Sequence, residues 1–330
     1  MIDIVCLGEA LIDMFPAEIG RSLVEVTAFR PVPGGAPANV AVAAARLGAH
    51  SAFIGKVGDD PFGHYLAELL HHQGVETRGM RFDSEARTGI NFHAQIDENH
   101  ATHLFYRHPS ADMRLRPDEL ERTLLREARA FVFGTICLMD QPVHDATMEA
   151  IDIAREVGAL IAFDVNYRES LWSEPAAARE LVLSLLPLVD VLKINEAELS
   201  LLTGSSELAA GTQQLVQHGP TLCVVTLGPQ GCFYRHGEQS GHVPGFAVQA
   251  IDATGCGDAF TASLLTQLVT GSEAWRARLT PTNLPHMLRR ANAAGALTAL
   301  KQGAFSAMPD TAAISALLEQ YDHHPQTNQN

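Results

Sequence analysis

"DATGCGDAF", Asp252 to Phe260, sets two glycines two residues apart with an acid directly behind them. Three readings compete: a dinucleotide fingerprint, a bend into a helix, and a reacting centre. From Ala259 onward, in "DATGCGDAFTASLLTQLV", apolar residues return at helical spacing. Gly255 and Gly257 stand immediately before that helix. The N–H groups of Gly255, Cys256 and Gly257 are then orphan donors at a helix N-terminus, beside the positive end of its dipole. Such a turn is an anion site. Asp258 falls in the first turn, where the same dipole favours an ionised carboxylate. An ionised acid beside an anion cradle can take a proton from a nucleophile while the amides hold developing phosphoryl charge. The plain alternative is a glycine-rich N-cap followed by a dipole-compensating aspartate. The dinucleotide reading is weak: Phe260 stands where GxGxxG needs its third glycine, and the stretch comes late in the chain.

Working outward, short apolar runs recur at Ile2–Gly8, Ser51–Gly55, Ala130–Gly134, Ala159–Asp164, Asp190–Ile194 and Leu222–Leu227. Such runs suit strands buried on both faces. Helical patterns lie between them, at Ala36–Leu47, Pro61–His72, Pro142–Val157, Pro175–Leu186 and Ser206–His218. Pro142 and Pro175 fall near helix starts, where proline is tolerated. The alternation predicts an α/β fold with a mostly parallel sheet covered by helices. The last third reads as helical, at Gly255–Gly271, Pro285–Leu300 and Pro309–Gln320. Two segments, Leu23–Arg30 and Gly89–Arg107, instead alternate polar and apolar residues. Gly89–Arg107 reads as a hairpin turning at "DENH", Asp97 to His100. Inserted antiparallel strands of this kind form a flap, a dimer edge or a plain edge hairpin. Residues 321–330 are expected to fray. His71–His72 and His323–His324 read as surface pairs rather than a metal site.

Polar residues and glycines collect just beyond the predicted strands. Glu9 and Asp13 follow the first, and ligands of open α/β sheets bind outside the carboxyl ends of the strands. In "PVPGGAPANVAVAAARLG", Gly34 and Gly35 let backbone approach a ligand, and Asn39 sits in the first turn of a helix. Acids and an amide there suit a polyhydroxylated ligand. "FDVNYRESLW" supplies Asp164, Asn166 and Arg168; "VVTLGPQGC" supplies Thr226, Gly228 and Gly231. In "LKINEAEL", Glu198 could touch metal-bound water, while Asn195 or Glu196 caps a helix. Each alone also reads as a turn or cap. Together they place polar tips on at least five strands, which is how an α/β enzyme builds one cleft.

Composition narrows the class. The chain has 330 residues, 46% of them hydrophobic, and suits one large globular α/β domain. A formal net charge of -15 argues against a general binder of nucleic acid or anionic membrane. Five cysteines with no CxxC pair argue against a disulfide framework and for a reducing compartment. The N-terminus lacks a basic n-region, and no apolar run is long enough to span a bilayer, so a cytoplasmic location is expected. No GxxxxGK[ST], HExxH or GxSxG occurs.

The motifs "GGAPANVAVAAARLG", "GKVGDDPFG", "KINEAEL", "VTLGPQG" and "DATGCGDAF", in this order, resemble those of the ribokinase-like PfkB carbohydrate kinases. The likeness runs from about Ile4 to Pro309. "RFDSEARTG", "FYRHPSADM" and "DVNYRESLW" are most similar to fructokinases. The resemblance implies a ribokinase-like three-layer sandwich spanning residues 1–320. Its mostly parallel central sheet is flanked by helices, and a small β-sheet lid comes from about 12–33 and 86–110. It implies transfer of the ATP γ-phosphoryl group to the 6-hydroxyl of fructose, with Mg2+ and K+ as ions. Alternatives are 2-keto-3-deoxygluconate or aminoimidazole riboside as acceptor, or a non-catalytic sensor. The expected partners are a sugar, ATP and a second copy of the chain paired through the lid, with neither nucleic acid nor membrane.

Carried over by position, Asp258 is the general base and the backbone of Gly255, Cys256 and Gly257 the anion hole. Glu9, Asp13, Gly34, Gly35 and Asn39 hold the sugar, and Arg107, Asn166 and Arg168 contact sugar or phosphate. Lys193, Asn195, Glu198, Thr226, Gly228, Gly231 and Asn292 serve the nucleotide, Glu198 through water on Mg2+. Asp252, Thr254, Gly303 and Ser306 surround a monovalent cation. Ala253 and Cys256 stand where the family commonly has threonine and alanine. Both are small, so the cradle is expected to survive. A thiol at a helix N-terminus is expected to tend toward thiolate and to be oxidation-sensitive.

Overall fold

The apolar runs form the middle of a sheet in the computed structural model, which describes residues 1–95 and 101–323. The strands are β1 (Ile2–Leu7), β2 (Leu11–Pro16), β3 (Phe29–Gly34), β4 (Ser51–Gly58), β5 (Glu76–Asp83), β6 (Ile90–Gln95) and β7 (Ala101–Tyr106). They continue as β8 (Ala128–Phe133), β9 (Leu160–Asp164), β10 (Val191–Asn195), β11 (Leu222–Thr226), β12 (Gly231–His236) and β13 (Gln239–Pro244). A nine-stranded sheet runs in the order β13-β12-β11-β10-β9-β8-β1-β4-β5. It is parallel from β5 to β11 and antiparallel at β12 and β13.

Side chains alternate across the sheet with period two. Ile4 and Cys6 of β1, with Ala130 and Val132 of β8, enter a core shared with the helices Ala36–Arg46, Cys256–Val269 and Asn283–Thr298. Val5, Leu7, Phe131 and Phe133 enter the opposite core, against the helices Val143–Glu156, Pro175–Leu185 and Glu196–Thr203. This is the layered α/β architecture that the sequence predicts. The predicted helix at Pro61–His72 is found with those bounds, its N-cap Asp60 accepting from the N–H groups of Phe62 and Gly63.

A further sheet runs β3-β2-β6-β7, with β2–β6 parallel and the other pairs antiparallel. The strands of the predicted hairpin are present, while its turn at "DENH" lies outside the described residues. Leu23–Arg30 is not the strand its alternation suggests. Residues 23–28 are turn and loop, and pairing begins at Phe29. β3 lies at a sheet edge, where Pro31 and Pro33 are tolerated, and its partner β2 sets the register. β5, β12 and β13 escape the apolar-run signal because they lie at or near the sheet's edges and carry charged or polar residues. The expected fraying at 321–330 begins too early, since the last helix runs Thr311–His323. There Tyr321 donates to the Ala247 carbonyl and packs edge-on against Phe246. The rest of that segment lies outside the described residues.

All five cysteines are free. Among the described residues, no helix is long and apolar enough to cross a membrane. The carboxyl ends of β1, β8, β9, β10 and β11 share one edge of the large sheet, and the small sheet begins immediately beyond β1.

Candidate active site

The helix Cys256–Val269 starts from Gly255, whose left-handed backbone (φ 80) acts as N-cap. A Cβ at Gly255 would lie 2.9 Å from Ala304 Cβ, so the turn is held against the 301–308 segment. Cys256 N–H donates back to the Ala253 carbonyl at 3.2 Å, which removes it from the expected cradle. Ala259 N–H closes the first helical bond to the Gly255 carbonyl. Among the described residues, nothing accepts from the N–H groups of Gly255, Gly257 or Asp258, so the open donors flank Cys256.

Asp258 is 8% exposed, and its Oδ2 accepts from Asn39 Nδ2 at 2.7 Å. The first-turn dipole does not dominate its ionisation. Burial, then the nearby Asp164 carboxylate, push its pKa up to about 6 against the lowering effects of Asn39, Lys193 and Arg168. The carboxylate is thus mostly ionised at neutral pH and close enough to neutrality to receive a proton. Cys256 departs from expectation: burial, then Asp252 and Asp258, push its thiol up to about 12. It stays a thiol, and the expected oxidation sensitivity loses its physical basis.

A set of polar side chains lies on the small sheet, beyond the Gly34–Gly35 turn that leads to the helix bearing Asn39. Asp13 of β2 is buried and accepts through Oδ1 from Asn91 Nδ2 at 2.8 Å and His93 Nε2 at 2.6 Å. A Cβ at Gly34 would sit 2.0 Å from Asp13 Oδ2, so glycine there keeps that oxygen clear. Gly35 has φ 101 and passes so close to Glu9 that a Cβ would lie 2.3 Å from the Glu9 carbonyl oxygen. Glu9 Oε1 accepts from Ala36 N–H at 3.0 Å and so fixes the helix that presents Asn39. Burial pushes Glu9 up to about 7. Asn39 Oδ1 and Asn91 Oδ1 are buried with no hydrogen-bond partner among the described residues. Asn91, His93 and His103 were missed in the sequence. Their signal was the alternation of the hairpin, which puts Asn91 and His93 on one face of β6 with His103 paired across from His93. His103 is held neutral, its pKa lowered to about 4 by burial and then by His93 and Arg168.

Arg107 and Asn166 also make contacts within the protein, and Asn166 lines a cavity with Glu9, Thr135 and Asp164. Arg107 is 2% exposed, but its Nε donates to Asp112 at 2.7 Å and its Nη2 to the Ile136 carbonyl at 3.1 Å. Its Nη1 is buried with no hydrogen-bond partner among the described residues, 3.6 Å from Asp140 Oδ2. Asn166 takes φ 45, the one positive φ outside glycine among the described residues, and its carbonyl accepts from Thr135. It shapes the exit from β9. Arg168 is half-buried, its Nη1 donates to the Tyr167 carbonyl at 3.4 Å, and its charge is felt by both Asp258 and His103.

Lys193 of β10 is buried and its Nζ lies 3.0 Å from Asp164 Oδ1. A Cβ at Gly257 would be 2.8 Å from that same Nζ, so the ammonium stands beside the cradle. Burial lowers the pKa of Lys193, but Asp164, Glu198 and Asp258 outweigh it and raise the net value. Asn195 and Glu198 form a capping box: Asn195 Oδ1 accepts from Glu198 N–H at 2.9 Å, and Glu198 Oε2 from Asn195 N–H at 2.7 Å. Glu196, the alternative cap, is exposed. Glu198 Oε1 also accepts from Tyr167 N–H at 2.7 Å, and burial raises its pKa.

Thr226 ends β11, half-buried, its hydroxyl donating to the Ile194 carbonyl at 3.3 Å, and Gly228 lies exposed just beyond with open space around it. Gly231 and Asn292 have structural duties. A Cβ at Gly231 would strike the Val243 carbonyl at 2.2 Å, and Asn292 Nδ2 donates to the Val243 and Pro244 carbonyls. Asp252 accepts from Thr254 N–H, Thr254 Oγ1 and Gly303 N–H, drawing backbone 252–254 against the 301–306 segment. Ser306 is exposed at that segment's end. No three His, Cys, Asp or Glu side chains among the described residues cluster as a metal cage.

A buried carboxylate beside open helix amides and a lysine, at the carboxyl edge of a parallel sheet, suits phosphoryl transfer to an alcohol group. The model for "pfkB family carbohydrate kinase" matches residues 1–311, and the chain belongs to that family. "Probable fructokinase-2" of Arabidopsis thaliana is 43% identical over 316 residues, covering 95% of each chain. A double-mutant fructokinase from Vibrio cholerae O395, in its fructose-, ADP- and potassium-ion-bound form, matches with TM-score 0.85 and 34% identity, over 96% of this chain and 98% of that one. A ribokinase II-type protein from E. coli, in complex with ATP and Mg2+, matches with TM-score 0.86 and 25% identity, over 97% of this chain and 100% of the other.

Proposed function

We propose that this chain is an ATP-dependent fructokinase that phosphorylates the 6-hydroxyl of fructose. The observation that carries it is the buried Asp258–Asn39 pair at the lip of the open amides of Gly257 and Asp258, with Lys193 alongside. The relatives named above add the acceptor, since one holds fructose with ADP and another is named a probable fructokinase.

In this reading the sugar lies between Asp258 and the small sheet. Its hydroxyls supply donors for Asn39 Oδ1, Asn91 Oδ1 and the free oxygen of Asp13, groups that are costly to bury unpaired. Asp258 takes the proton of the 6-hydroxyl. The sugar oxygen bonds to the γ-phosphorus, the bond from that phosphorus to the bridging oxygen breaks, and its electron pair leaves on ADP. The cradle amides, Lys193 and Arg168 face the charge carried by the transferring group. Asn195, Glu198, Thr226 and Gly228 border the nucleotide side. Glu198, a buried carboxylate on the nucleotide side, would reach a Mg2+ through water, and the ion would neutralise phosphate charge. A K+ beside the Asp252, Thr254, Gly303 and Ser306 backbone would strengthen the field of the glycine turn.

The small sheet acts as a lid that excludes water from the transfer. Its edge strand β7 exposes Leu104 and Tyr106, and pairing of two such edges would give a homodimer. Five free thiols fit a reducing compartment, and we assign the enzyme to the cytoplasm. A panel of fructose, other ketoses, aldoses and acidic sugars, assayed for ADP release with and without K+, tests the acceptor. Fructose should give the highest kcat/KM. Preference for an acidic sugar would overturn the assignment.

A further inference from the structure

We infer that Asp164 is a positioning residue of the transfer site. Through Lys193 and Thr261 it fixes the first turns of the helix carrying Gly257 and Asp258, and its charge acts on the base. Asp164 ends β9 and is 5% exposed. Its Oδ1 accepts from Lys193 Nζ at 3.0 Å, on the adjacent strand. Its Oδ2 accepts from Thr261 Oγ1 at 2.9 Å, and Thr261 lies three residues after Asp258, on the same helix face. One carboxylate therefore ties two strands to the catalytic helix and aims the lysine at Gly257. A buried charge needs this many partners to be tolerated. Without the bridge, Lys193 is free to swing toward Asp258.

The groups facing Asp258 come from each element packed around it. They are Asn39 from the helix Ala36–Arg46, Cys6 from β1, Asp164 from β9, Arg168 from the loop beyond β9, Lys193 from β10, and Cys256 from its own helix. Asp164 is the negative charge among them and works to keep the proton on Asp258; Lys193 and Arg168 work against it.

The inference rests on Asp258 being the base, and the test separates the two. Asp164→Asn removes the charge and keeps an acceptor for Lys193. The acid limb of the kcat/KM profile should move to lower pH by about one pH unit, with the KM for fructose little changed. A purely structural role would lower activity at every pH and leave the midpoint in place, and that result overturns the proposal. If Asp164→Asn does not fold, Lys193→Met carries the test: loss of the countercharge must move the midpoint up by about one pH unit, and an unmoved midpoint overturns it. Asp258→Asn is assayed alongside. Near-normal turnover in that variant removes the base assignment itself, whatever the other profiles show.

Discussion

Replacing Asn39 with alanine should change the pH dependence of catalysis in a way that its loss as a sugar contact cannot. Asn39 Nδ2 stands 2.7 Å from Asp258 Oδ2, in a buried site, and holds the carboxylate in its ionised form. A hydrogen bond to a charged group contributes about 1.5 to 3 kcal/mol. The lower figure corresponds to about one pH unit. Asp258, now near 6, should therefore take its proton near 7 in Asn39→Ala. At pH 8 both forms are ionised, and the wild-type to variant ratio of kcat/KM contains only the lost sugar contact. At pH 5 wild type retains about a tenth of its base ionised and the variant about a hundredth. The ratio should thus grow by about tenfold from pH 8 to pH 5. Subsaturating fructose isolates kcat/KM, which reports the free enzyme. ADP should be quantified directly, so that no coupling enzyme limits the acid points. A ratio that stays flat between pH 5 and pH 8 would refute the claim that Asn39 sets the ionisation of the base.

Asp258→Asn should cost turnover about a hundredfold or more and yet stabilise the fold. The folded pKa is raised from 3.8 to about 6, so this site's stability is fully present below the unfolded value and is lost as pH rises through the folded one. The neutral variant escapes that loss, gaining about 3 kcal/mol at pH 8 and about half as much at pH 5, read as a Tm increase that grows with pH. An unchanged or lower Tm at pH 8 would contradict the burial account. Gly35→Ala should raise the KM for fructose by about tenfold or more and lower the Tm, because its Cβ would meet backbone atoms of Glu9 and Ala10 that cannot turn aside. Gly48→Ala, also at positive φ but with open space around it, should lower the Tm alone. Equal effects of the two on fructose KM would show that the Glu9–Gly35 approach does not shape the sugar pocket.

Much of the fold was legible in the chain because it rests on local order. β1, β4 and β8 to β11 came from short apolar runs, since a strand covered on both faces is apolar throughout. β5, β12 and β13 lie at or near the edges, where one side meets solvent and the apolar run breaks up. The Leu23–Arg30 alternation misled because it lacks a partner strand; pairing with β2 decides where β3 begins. Arg107 and Asn292 have residue types suited to ligands, and only tertiary packing shows that Arg107 also donates to Asp112 and the Ile136 carbonyl and Asn292 to the Val243 and Pro244 carbonyls.

The sequence by itself determined the glycine turn, the helix it opens and the place of Asp258 in that helix. These follow from neighbouring residues: glycine admits the left-handed backbone at 255, and apolar spacing continues the helix. Only the tertiary structure decided how those parts are charged and what they touch. Asn39 meets Asp258 across 219 residues, and Asp164 meets Thr261 across 97. Burial raised the pKa of Asp258 and kept Cys256 a thiol, against what a helix N-terminus alone suggests. Desolvation and Coulomb effects depend on everything within a few ångströms, and the chain fills that space from β1, β9, β10 and the helix bearing Asn39. No short stretch of sequence contains that neighbourhood.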